Sequence, residues 1–440
     1  DQETIVTFGC QWGTGERLLT TTSAFAATNL HLQRFFGACD AEYGKSVDVS
    51  AAEGECGIMT TLINKFSAEH PDIDVKVSTV EWPGYDQLTA QMASKTPPDL
   101  VTMHNSVIAD YQSRELILPI DDLLASKQVD SSRFTPTALN GVVRNDKMYG
   151  LPIDTWTMLY HINTKLMKQA GLIDAAGKPI LPKSADELLK QAREFKKATG
   201  KPYFIQILSN ETAAYARLFY TYMFQQGAEI FKDPTHIQLN TPEAKNIVSL
   251  FKQIYDEGLT TKNMDYPATV SAFSNGEGGI LLNGNWLLGT YDAESHKAKS
   301  ALYNSYAAYP YPQLFGAKAA TYVDGHSWVM PNKEHSKDEL AAIAEFYKFM
   351  ADNDYQWSRT GHLPSVKAVL DKPEFKALPQ RLNLMEVTKI GTGLPSKVER
   401  QFAIQDIIGE ELAAAITGAK DVDAALADAE SRVNEMLANL

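Results

Sequence analysis

The chain has 440 residues, a formal net charge of −13, 44% hydrophobic residues and 22% charged residues. That length exceeds what one hydrophobic core organises, so two lobes are expected of an otherwise ordinary globular composition. The acidic balance argues against nucleic acid as a partner, because phosphates need a basic face, and no apolar run approaches the length that spans a bilayer.

The chain opens at Asp1, and the strand-like TIVTFG (4–9) follows at once. A chain relieved of its signal peptide reads this way, as does a trimmed one. The three cysteines, Cys10, Cys39 and Cys56, all lie near the start. Cys39 and Cys56 bracket a segment poor in large apolar residues, which a disulfide would staple in an oxidising compartment. Three unrelated thiols are the alternative reading. No CxxC and no close His pair suggests zinc, so no metal and no cofactor are expected.

After TIVTFG, residues 57–73 carry Met59, Leu62, Ile63 and Phe66 at helical spacing and end at His-Pro. DVKVSTVEW (74–82) alternates as a strand, and PDLVTMH (98–104) reads as a buried one. This order predicts an α/β lobe with a mainly parallel sheet. A second series follows. It has helices over 184–200, 212–227 and 241–259, strands at 203–208 and 321–332, and three closing helices over 337–352, 397–418 and 421–440. Residues 11–56 are too long for a strand-to-helix connection and read as an inserted excursion.

No GxSxG, HExxH, GxxxxGK[ST] or strand-to-helix GxGxxG is present. In open α/β sheets ligands bind outside the carboxyl ends of strands. That rule selects Gln11 and Trp12 after the first strand, Glu81 and Trp82 after the second, and His104 and Asn105 after the third. It also selects Trp286 after GILLNGN, and Asp324, His326 and Trp328 around a glycine. The row Tyr215, Phe219 and Tyr222 falls at helical spacing and reads as core.

Five stretches then resemble, in order, the extracellular solute-binding proteins of ABC importers, in the carbohydrate-binding group that includes maltose-binding protein. They are FSAEHPDIDVKV, PDLVTMHNSVIADYQSRELILPIDDLL, YGLPIDTWTMLYHINTKLMKQAGL, AFSNGEGGILLNGNWLL and TGHLPSVKAVL. The resemblance covers the chain except 11–56. It implies two α/β lobes joined by hinge strands, with crossings near Leu151–Pro152, Tyr322–Gly325 and Tyr355–Gly361. The first lobe would hold 1–151 and 324–356, and the second 152–323 and 357–440.

The implied function is capture of a neutral carbohydrate by a periplasmic monomer that closes on it and docks on a membrane permease, without catalysis. Residue by residue, the resemblance places His104, Asn105, Asp154, Thr155, Trp156 and Trp286 in the cleft; Asp324 stands where the family commonly has glycine. A glycoside hydrolase or lyase using two cleft carboxylates is the enzyme alternative. A surface adhesin that uses 11–56 to meet a protein is the interaction alternative.

Overall fold

The computed structural model describes residues 27–207, 209 and 211–440. In chain order the first elements are β1 (Thr28–Arg34), α1 (Gly54–Glu69), β2 (Ile73–Thr79), α2 (Tyr85–Ala93) and β3 (Leu100–His104). Then come β4 (Asp154–Asn163), α3 (Ala185–Thr199), β5 (Phe204–Ile205), α4 (Ala213–Gln225), α5 (Pro242–Asp256), α6 (Tyr266–Ser274), β6 (Ile280–Gly284) and β7 (Tyr306–Pro310). The last are β8 (Thr321–Asp324), β9 (His326–Pro331), α7 (Lys337–Asp352), β10 (Gly391–Thr392), α8 (Gln401–Ile416) and α9 (Val422–Ala438).

The strands form two main sheets, one per lobe. The first runs β2-β1-β3-β9 and ends on Ile117–Leu118; the second runs β5-β6-β4-β8-β10. The two-lobed α/β class holds, but each sheet is mixed rather than mainly parallel. β1 pairs in parallel with β2 and β3, whereas the returning β9 is antiparallel to β3. β4 is antiparallel to β6, β7 and β8. The crossing strands enter against the local direction, and that makes the sheets mixed.

Residues 11–56 are not one excursion. Within them β1 reads TNLHLQR; Leu30 and Leu32 are buried on one side, and β1 holds an unbroken seven-residue register with β2. Its polar alternate positions hide a half-buried strand pattern. The actual connection runs from Phe35 to Glu53. TIVTFG, Cys10, Gln11 and Trp12 lie outside the described residues.

Local signals set several helices. Ser184 caps α3 by accepting from the Glu187 N–H, and Gly200 closes it at φ 71°. Thr241 and Pro242 open α5, and Ser336 with Glu339 forms a capping box on α7. Their apolar faces pack into the lobe cores. Phe195, Phe219, Tyr222, Phe251 and Ile408 fall in the second lobe, and Phe66, Trp328, Phe346 and Tyr347 in the first. The core reading of Tyr215, Phe219 and Tyr222 agrees with their burial.

The lobes are joined where single residues change sheets. Leu151–Pro152 pairs with β9, and two residues later Asp154 pairs with Pro364 beside the second sheet. Residues 321–332, expected as one strand, split at Gly325: β8 lies in the second sheet and β9 in the first. A Cβ on Gly325 would stand 2.3 Å from the Asp154 carbonyl oxygen, so only glycine lets the two crossing segments touch. Trp357, Val366, Val369 and Phe375 pack in the first core, whereas Leu363 between them packs with Leu159 and Val323, so that stretch is divided between the lobes rather than belonging to the second alone.

Candidate functional site

A cleft of about 890 Å³ opens between the lobes. Its first wall comes from the carboxyl ends of β1, β2 and β3, which deliver Phe35 and Phe36, Glu81 and Trp82, and His104. Its second wall carries Trp156 from β4, Arg217 from α4, Tyr266 from α6 and Trp286 just after β6. His326, His362 and Glu55 line it at the crossing.

Trp286 is fixed by its surroundings. Its indole N–H donates to the Tyr266 hydroxyl at 2.9 Å. Its ring meets Trp156 edge-on, with centroids 5.5 Å apart and planes at 76°. The six-membered ring lies so close over Gly284 that a Cβ there would sit 2.1 Å from it. Arg217 covers the Trp156 face, its guanidinium carbon 5.2 Å from the centroid. Across the cleft Trp82 is 62% exposed and stands edge-on to His104 at 4.4 Å.

His104 is held by Tyr85. The Tyr85 hydroxyl accepts from the His104 backbone N–H at 2.8 Å and lies 2.6 Å from Nδ1. Donation from that hydroxyl to Nδ1 puts the ring proton on Nε2. Burial, then the His326 charge, push the His104 pKa well down, so the ring is neutral. His104 and His326 are cross-strand partners with rings 4.8 Å apart.

Beneath the floor lies Asp154, 0% exposed. It accepts from the His326 backbone N–H and from the Trp357 indole, at 3.0 and 2.7 Å. Both carboxylate oxygens stand 3.0 Å from His326 Nδ1. Burial alone would raise its pKa; the neighbouring His326 and His362 rings and these hydrogen bonds outweigh that and hold it well below the usual range. His362 bonds Glu55 through Nε2 at 2.6 Å. Burial disfavours its charge, but Asp154 and Glu55 prevail and raise its pKa.

Cys39 and Cys56 are joined, as the sequence suggested, with Cα atoms 6.1 Å apart. The bridge fixes Glu55, adjacent to Cys56, and the Gly37–Ala38 segment at the cleft rim. Arg359 pins the same connection by donating to the carbonyls of Val49, Ser50 and Ala52. Closing a loop across 17 residues is worth about 3 kcal/mol. Reduction, or Cys56→Ser, is therefore expected to lower stability by about that amount in urea titration. An unchanged midpoint would show that Arg359 suffices.

Of the residues expected from sequence, Glu81, His104, Trp156, Trp286 and His326 line this cleft, and Asp154 supports its floor without lining it. Four expectations are corrected. Asn105, Thr155 and Asp324 line a separate cavity of about 550 Å³ with no residue in common with the cleft. There Asp324 accepts from the backbone N–H groups of Ser106 and Gly325, which fixes the crossing strand. Trp328, 0% exposed, packs edge-on to Phe346 in the first core, because β9 has already run into the sheet at that point.

Phe35 and Phe36 escaped the sequence reading because the first strand was placed at 4–9. The same strand-end rule, applied to TNLHLQR, would have found them. Arg217 hid in a helix read as core. Glu55 carries no local motif, and His362 stands inside TGHLPSVKAVL without being singled out.

The profile of bacterial extracellular solute-binding proteins matches residues 57–357. The chain belongs to that family. A Brucella abortus (strain 2308) relative, described only as a binding protein, is 25% identical over 385 residues, spanning 84% of this chain and 88% of its own. A lactose-binding protein of Rhizobium radiobacter is 24% identical over 292 residues, 64% of this chain and 65% of its own. The sugar-binding protein MalE of Xanthomonas citri superposes with a TM-score of 0.77 at 18% identity, covering 94% of this chain and 98% of that one. Among the described residues no helix is long and apolar enough to cross a membrane.

Proposed function

We propose that this solute-binding protein captures a neutral carbohydrate or polyol in the interlobe cleft and delivers it to an ABC importer permease from the periplasm. The observation that carries the reading is the Trp156–Trp286 pair, two indoles at 76° built into one wall. Sugars offer apolar C–H faces to such rings and hydroxyls to the polar groups between them. Glu55, Glu81 and Glu211 stand against the single guanidinium of Arg217 in the described lining. Carboxylates accept well from hydroxyls, and their excess disfavours an anionic ligand. The lactose-binding and sugar-binding relatives point the same way.

Asp154, His326 and the residues at Gly325 belong to strands of both sheets, and bending there would bring the walls together. Neutral mono- to oligosaccharides and polyols, screened without any reporter chemistry, should include at least one that raises the melting temperature in a concentration-dependent way with no product formed. At 100 times Kd the gain is about 2.7 kcal/mol. A full panel without a shift would remove the carbohydrate reading, and product release would favour the hydrolase.

A further inference from the structure

We propose that Asp154, His326 and His362 form a binding site for a divalent transition-metal ion, of the zinc type, at the floor of the cleft. One ligand atom from each of the three lies within 4.8 Å of the other two, and all three residues are buried. His362 supplies the decisive detail. It is 2% exposed, and its Nδ1 has no hydrogen-bond partner among the described residues. That nitrogen points at Asp154 Oδ2 across 4.0 Å, too far for a hydrogen bond.

Zinc ligands at 2.0–2.1 Å and tetrahedral angles stand about 3.3 Å apart. The His326 separation from Asp154 is 3.0 Å and the His362 separation 4.0 Å, so a small inward movement of one ring completes the set. Two imidazoles and a carboxylate suit zinc and its neighbours in the transition series better than calcium or magnesium, which prefer all-oxygen shells.

The surroundings are those of a supported metal site. Glu55 accepts from His362 Nε2 at 2.6 Å, which orients the ring and makes Nδ1 the ligating atom. The Trp357 indole and the His326 backbone N–H hold the Asp154 carboxylate in place independently of any ion. His326 and His362 both reach the cleft, so a fourth position faces water or a ligand hydroxyl. On binding, the ion takes the place of the hydrogen between His326 Nδ1 and Asp154, and the neutral ring carries its one proton on Nε2 instead. The alternative occupant is a proton: an imidazolium at His362 bridging Glu55 and Asp154, which leaves no room for an ion.

The test is a titration of the untagged, chelator-stripped and sugar-free protein with zinc chloride by calorimetry, with cobalt(II) as a spectroscopic probe. The expected result is one saturable site per chain, a rise in melting temperature and the visible absorption of tetrahedral cobalt(II). His362→Ala and His326→Gln should each weaken binding by at least about 10-fold, and Glu55→Gln by about 10- to 100-fold through the supporting hydrogen bond. Wild-type protein showing no stoichiometric binding would overturn the proposal and assign the cluster to the bridging proton. So would binding that His362→Ala and His326→Gln leave intact, since the ion would then sit elsewhere. No sugar enters the titration, so its outcome is independent of which carbohydrate the cleft takes.

Discussion

Trp286→Ala is expected to lower affinity for the carbohydrate proposed as ligand by at least about 30-fold, the loss typical of a central aromatic hot spot. The ring is half-buried, and its removal takes away the Tyr266 hydrogen bond and the edge contact with Trp156. It packs only at the cleft ends of β4 and β6, on Trp156 and Gly284, so unfolding should stay cooperative with only a modest drop in midpoint. Trp286→Phe separates the two contributions. It keeps a flat apolar plate over Gly284 but loses the indole donor, and should retain most of the affinity. Calorimetry with the sugar identified in the thermal screen reads both variants. If Trp286→Ala binds as tightly as the wild type, the residue belongs to the packing of the second lobe and the stacking surface lies elsewhere.

Asp154→Ala should be the most destabilising single change at the crossing, costing about 3–5 kcal/mol. The buried carboxylate serves the His326 ring and backbone N–H and the Trp357 indole. Those three groups come from two separate stretches of chain, and each would be left without its acceptor in a place water reaches poorly. Asp154→Asn keeps one acceptor oxygen and should cost clearly less. Chemical denaturation at neutral pH measures the difference. A cost below about 1 kcal/mol for the alanine variant would show that backbone pairing alone holds the lobes in register.

Much of this was legible in the sequence because local rules wrote it. The caps at Ser184, Thr241 and Ser336 mark their helices. The strand-end rule led to Glu81, His104 and Trp286 because each stands at the end of a recognisable strand, an alternating one for Glu81 and a short apolar run for the other two. The same rule passed over Phe35 and Phe36, since TNLHLQR alternates without the strong apolar run that TIVTFG shows. β4 entered only as a hinge strand at Asp154 and Trp156, and its full ten-residue length was not read, because all ten residues are buried and a central strand covered on both faces shows no alternation to count. The Asp154–His326–His362 cluster was beyond sequence reasoning for a different reason. Its members are brought together by the sheet crossings, with 172 positions separating Asp154 from His326, and no motif spans such a gap. Asn105 and Asp324 show the converse error: adjacency to a strand end does not say which side of the crossing a side chain takes.

The placement of the indoles has an optical consequence. Of the five tryptophans among the described residues, Trp82, Trp156 and Trp286 line the cleft, whereas Trp328 and Trp357 are sealed in the first core. The sealed pair gives a constant emission that solute quenchers reach poorly. Among these five, Trp82, on the open wall, gives the component most accessible to iodide or acrylamide. Bringing the walls together shields that component and leaves the core pair unchanged, so with Trp12→Phe in place the intrinsic fluorescence of the unlabelled protein reports lobe position.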